Sequence, residues 1–180
     1  MKLTTPLTKD KLKSLRAGDL VHLSGTIYTA RDAAHQRLAD LLAEGKELPI
    51  PIKDSVIYYV GPTPTKPGSA IGSCGPTTSY RMDPFIEPLL DLGLSATIGK
   101  GARTPKIKKA LYEQGCVYFS AIGGTAAYLS QFVEHSELIA FPELMSEAIR
   151  KLTVKDFPVF VIYDTYGNDL IEQGIKTFKK

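Results

Sequence analysis

Between Leu94 and Phe132 two strand–loop–helix units follow one another. An apolar run, LSATIGKG, ends in a glycine loop and is followed by the helix-like TPKIKKALYEQG. A second run, CVYFSAIGG, ends in another glycine loop before TAAYLSQF. Short apolar runs that alternate with helical segments predict β–α units and a parallel sheet. Thr104 followed by Pro105 marks the start of the longer helix, and Gly115 marks its end. In open α/β sheets ligands bind beyond the C-terminal ends of the strands, which is where these glycine loops fall.

The same grammar extends toward the N-terminus. Thr8–Leu15 reads as a short helix. LVHLSGTI reads as a strand, with His22 packed within it. In the next segment Ala30, Ala33, Ala34, Leu38, Leu41 and Leu42 recur at helical spacing. Thr29 is expected to N-cap this helix, with Asp32 in a capping-box-like position and Gly45 as terminator. DSVIYYVGP predicts a strand with a Gly-Pro stop, and Ser69–Cys74 a short one leading into GPTTSYRM. MDPFIEPLLDLG predicts a helix with Asp83 as N-cap and Pro84 in its first turn. Beyond Phe132 the pattern changes. SELIAF, AIRKLTVKDF and PVFVIYDTYGNDLI look strand-like, with YGND as a hairpin turn. A helix over 142–152 stays open. The fold expected is α/β, a largely parallel β–α core plus additional strands, in one domain spanning 1–180.

The 180 residues are 43% hydrophobic, enough for a sizeable core. A net charge of +3 lacks the concentrated basic stripe of a nucleic-acid binder. The basic runs at Lys106–Lys109 and Lys179–Lys180 read as solvated surface. The N-terminal MKLTTPLTKDKLKSL has no apolar segment of the signal-peptide kind, and no apolar run approaches the ~20 residues of a membrane span. The two cysteines, Cys74 and Cys116, lack metal-ligand spacing and read as buried, reduced thiols of a cytoplasmic protein. No metal site is expected in this chain.

The candidate chemistry lies in the loops. Arg31 opens a helix after a strand. Thr77, Thr78 and Arg81 follow a Gly-Pro turn. Lys100 stands between Gly99 and Gly101, and Ser120 to Thr125 carry another glycine pair. If the strands are parallel neighbours, these loops converge on one rim. Three cations, hydroxyls and backbone N–H groups would then face one pocket suited to a small dianion. The P-loop spacing and the Rossmann glycine fingerprint are both absent. Arg31 and His35, four apart, share a helix face. His135, among Glu134, Ser136 and Glu137, reads as surface. On these residues alone a stand-alone anion- or nucleotide-binding module, or a scaffold whose loops are only turns, stays open.

Five ordered blocks carry a resemblance across essentially the whole chain: GTIYTARDAAHQRL, GPTTSYRMDPF, IGKG, FSAIGGTAAYL and DFPVFVIYDTYGNDL. Together they resemble the C-terminal domain, or separate β subunit, of the class I iron–sulfur hydro-lyases, the fumarases and L(+)-tartrate dehydratases. The resemblance implies a swivelling β/β/α domain. It implies a partner α subunit carrying the cysteines of a [4Fe-4S] cluster, and therefore a hetero-oligomer, with a homodimer open for the isolated chain. It implies that Arg31, Thr77, Thr78, Arg81 and Lys100 contact a small dicarboxylate, and that His35 and Thr77 take part in proton transfer. Ala30 and Ala34 stand where the tartrate enzymes carry cysteines, so the chain looks more like a fumarase, reversibly hydrating fumarate to (S)-malate.

Overall fold

The computed structural model describes residues 1–179. The last residue of the basic tail, Lys180, lies outside them. Seven strands form one mixed sheet: β1 Lys2–Thr4, β2 Leu20–Thr29, β3 Val56–Tyr58, β4 Ala96–Gly99, β5 Val117–Ser120, β6 Val133–Ala140 and β7 Ile149–Tyr163. Six α-helices accompany them: α1 Lys9–Leu12, α2 Asp32–Ala43, α3 Asp83–Asp91, α4 Pro105–Glu113, α5 Ala126–Leu129 and α6 Leu170–Phe178.

Strands β2, β3, β4 and β5 are parallel neighbours in that order. Strand β7 is antiparallel to both β5 and β2, which closes these five strands into a ring. Strands β1 and β6 add at the edges, on β2 and β7. Side chains alternate across a strand, and the core divides accordingly. Val56 and Tyr58 of β3 join Val21, Ile98, Phe119 and Val159 in one buried cluster, drawn from every strand of the ring. Ile57 and Tyr59 point the other way. They pack with Leu38 of α2, Ile86 of α3 and Ile107 of α4 in a second cluster between sheet and helices.

Several expectations need correction. Thr29 does not cap α2. It ends β2, fully buried, donating to the Ala148 carbonyl and accepting from the Arg150 amide. Arg31 holds the cap position without a side-chain bond. Asp83 is the first residue of α3 rather than its cap, because its carboxylate turns inward to Arg103. Ser69–Cys74 forms a bend and irregular chain, not a strand. Residues Ile149–Tyr163 make one continuous strand rather than two, and Pro142–Glu147 is a 3-10 segment. The YGND turn is closed by a single antiparallel bridge between Tyr163 and Asp169 and then leads into helix α6 rather than a second strand.

Candidate functional site: a cationic rim at the strand ends

Because β2 to β5 are parallel, their C-terminal ends meet at one edge. Arg31 follows β2, Gly61 lies just beyond β3, Lys100 follows β4, and Ile122 with Gly123 lie beyond β5. The segment Thr77–Ser79 is stitched across this edge. The Thr77 amide donates to the Tyr59 carbonyl at 2.7 Å, the Lys100 amide to the Thr77 carbonyl at 3.2 Å, and the Ser79 amide to the Lys100 carbonyl at 3.0 Å. Thr78 and Lys100 thereby form a parallel bridge. Gly99 makes this possible, since a Cβ there would stand 1.9 Å from the Ser79 hydroxyl. Thr77, Thr78 and Lys100 are thus joined through their backbones. The Lys100 side chain is exposed, with its stem passing Gly123.

The arginines are joined through two carboxylates, Asp32, which the sequence marked only as a capping residue, and Glu147, which it did not mark. Arg81 donates from Nε and Nη2 to the two oxygens of Asp32, at 2.9 and 2.7 Å. Its remaining nitrogen, Nη1, lies 3.5 Å from the Thr77 hydroxyl. Arg31 Nη2 lies 3.6 Å from Asp32 and 3.4 Å from Glu147. Glu147 also accepts the Ala33 amide at 2.8 Å, so it caps the first turn of α2 from 114 residues away. Arg31 is threaded past Gly61, where a Cβ would come within 2.7 Å of its Nη1. Its Nε is buried without a partner among the described residues. Adjacency in the sequence, Arg31 beside Asp32, was the only available sign of this cluster.

His35 lies beneath the rim, fully buried. Its Nδ1 sits 2.9 Å from the Arg31 carbonyl. A carbonyl only accepts, so Nδ1 carries the proton and Nε2 is the bare nitrogen. Nε2 has no partner among the described residues. Burial pushes the imidazole down to about 4, and Arg103 pushes the same way against the Arg31 carbonyl. The ring packs edge-on against Tyr59, 5.3 Å between centroids. The structure therefore keeps His35 neutral and enclosed, on the core side of Arg31.

A second group missed in the sequence is Arg103. Its side chain is buried and paired with Asp83. It also donates to Thr97 at 3.2 Å and to Tyr59 at 3.4 Å, while its amide donates to the Tyr163 hydroxyl. Asp83 further accepts the Thr104 amide at 2.7 Å, which ties the loop after Lys100 to α3. An unpaired charge here would be costly, so this pair fixes the loop geometry below the rim.

The cysteines do not suit a cluster. Cys74 lies in one buried cluster and Cys116 in the other. Burial raises both thiols, Cys74 to about 12, where a thiolate ligand is disfavoured. Among the described residues no three of His, Cys, Asp and Glu gather as a metal site. No helix among them is long and apolar enough to cross a membrane. A groove of about 420 Å³, lined by Pro62, Thr63, Met145, Ser146 and Arg150 among others, flanks the Gly61 side of Arg31. Arg31 is partly exposed, and Arg81 and Lys100 are exposed, at this edge of the sheet.

Comparison with known proteins bears on the family of the whole chain. A family model described as the fumarase C-terminus matches residues 1–174. The chain is 46% identical over 153 residues to the anaerobic class I fumarate hydratase of Escherichia coli K12, covering 84% of this chain and 28% of that protein. It is 40% identical over 177 residues to fumarate hydratase 2 of Leishmania major, covering 96% of this chain and 31% of that one. The chain thus spans under a third of these fumarate hydratases. A putative L(+)-tartrate dehydratase subunit beta of Methanocaldococcus jannaschii is 39% identical over 173 residues, covering 93% of this chain and 89% of that protein. By the extent of these matches, this chain belongs to the fumarase C-terminus family.

Proposed function

We propose that this chain is the β subunit of a two-subunit class I fumarate hydratase, with a domain of the swivelling β/β/α kind. The single observation carrying this reading is the convergence of Arg31, Thr77, Arg81 and Lys100 on the C-terminal edge of parallel strands, in a chain of this family. Hydration of fumarate puts a hydroxyl on one carbon and a proton on its neighbour. The costly charge is the carbanion beside a carboxylate, which spreads onto that carboxylate. Cations aimed there stabilise the transition state more than the substrate.

In this proposal Arg31, Arg81 and Lys100 hold the carboxylates. Thr78 supplies a further rim contact. The Thr77 hydroxyl, 3.5 Å from Arg81 Nη1, contacts the substrate and passes the proton. His35 assists from the core side by fixing the Arg31 backbone. The [4Fe-4S] cluster belongs to the α subunit, since the cysteines here do not fit it. The open edge is the wall that the α subunit completes.

The L(+)-tartrate dehydratase counterpart is the second reading. The Methanocaldococcus protein supports it, because its whole length is nearly matched and its name is that of a separate subunit. The purified chain is assayed anaerobically, alone and with a cluster-bearing partner, on fumarate, malate and L(+)-tartrate. The proposal expects no turnover alone and fumarate–malate interconversion by the pair. Turnover of tartrate in preference selects the second reading. Turnover by the single chain without iron removes both.

A further inference from the structure

The two arginines of the rim are not free forks. One carboxylate, Asp32, lies between them. Both its oxygens are taken by Nε and Nη2 of Arg81, at 2.9 and 2.7 Å, and Oδ2 is also 3.6 Å from Arg31 Nη2. A guanidinium is planar, so engaging one of its edges fixes the plane and dictates what the rest can meet. With Nε and Nη2 occupied, Nη1 is the nitrogen left facing Thr77. Arg31 is held in turn by Glu147, which meets the same Nη2, and by Gly61, which lies against its Nη1. The orientation of Arg81 and its distance from Arg31 are therefore set by one side chain.

We propose that Asp32 is a positioning residue that sets the plane of Arg81 and the spacing of the two guanidiniums, and so selects dicarboxylates by the distance between their charges. The inference rests on the reading of the rim as a dicarboxylate clamp. Without Asp32 the two cations repel and Arg81 rotates on its flexible stem. Asn is the sharp substitution, because it keeps the shape but turns one acceptor into a donor facing Nη2. It cannot receive both hydrogens of the Arg81 edge.

The test uses the reconstituted pair with Asp32→Asn and Asp32→Glu. Malonate, succinate and glutarate serve as competitive inhibitors of stepwise greater length. Asp32→Asn is expected to lower kcat/KM at least ten-fold. It is also expected to shrink the preference for succinate over the shorter and longer acids at least three-fold, with thermal unfolding unchanged. Asp32→Glu, which keeps the charge at a new reach, is expected to shift the preferred length. In the isolated chain, the Arg81 Nε–H nuclear resonance signal, slow to exchange in the wild type, is expected to be lost in Asp32→Asn. Unchanged kinetics, a uniform loss with unaltered length preference, or tighter substrate binding would overturn the proposal. The last outcome would make Asp32 a competitor for the arginines. If the wild-type pair turns over none of the three substrates, the clamp reading itself falls. The Nε–H signal then decides by itself whether Asp32 holds the fork.

Discussion

His35 is a titratable group that the folded chain keeps neutral, and this has a measurable consequence. Its proton affinity in the fold is depressed to about 4 by burial, against about 6.5 in an unfolded chain. Between those values the unfolded state binds more protons. The stabilising contribution is therefore complete above pH 6.5 and is lost as pH falls toward 4, by about 3 kcal/mol in all. His35→Gln should abolish that part of the pH dependence. The check is denaturant unfolding of both proteins from pH 7 to 4, and parallel curves would contradict it. That Arg31, Thr77, Arg81 and Lys100 lie at one edge of the sheet was legible in the sequence because each follows a recognisable strand or turn. Asp32 and Glu147 were not, because their roles arise from contacts spanning 49 and 114 residues. Gly61 was silent for the same reason, since its absent side chain matters only where Arg31 passes.

Helix α2 shows how a segment far along the chain completes a local element. Its start lacks a side-chain cap of its own, and the Glu147 carboxylate supplies the acceptor through the Ala33 amide. Glu147→Ala should cost about 1 kcal/mol, the usual value of a lost N-cap. Glu147→Gln keeps an amide oxygen for the helix but loses the charge beside Arg31. Urea midpoints should therefore fall for Ala and largely recover for Gln. Equal loss in both would mean that the charge, not the cap, is what stabilises. Helix α2 was readable from apolar periodicity and a glycine stop, and α4 from its Thr104-Pro105 start and Gly115 stop. Helix α6 was not, because YGND satisfies hairpin chemistry equally well and Gly174 interrupts the helical pattern that follows. The continuity of β7 was hidden by Asp156, which takes a positive φ of 50°, and by Pro158, both of which look like breaks.

In the whole molecule, the parallel core was legible from the repeated strand–glycine–helix units, while the closure of the sheet was not. Closure depends on β7 pairing with β2, over residues more than 120 apart in sequence, and no local pattern records such a pairing. Closure matters to the proposed function because it fixes the strand ends whose loops carry Arg31, Thr77, Arg81 and Lys100. The proposed clamp acts through the geometry of the Arg81 fork and not through its charge alone, and Arg81→Lys separates the two. The measurement is the kcat/KM of fumarate hydration by the reconstituted pair, wild type against Arg81→Lys, under anaerobic conditions with thermal unfolding as control. A loss of roughly 2–4 kcal/mol of transition-state stabilisation, or about 30- to 1,000-fold, is expected with folding intact. Wild-type kinetics in the Lys variant would mean that the substrate carboxylate is held elsewhere.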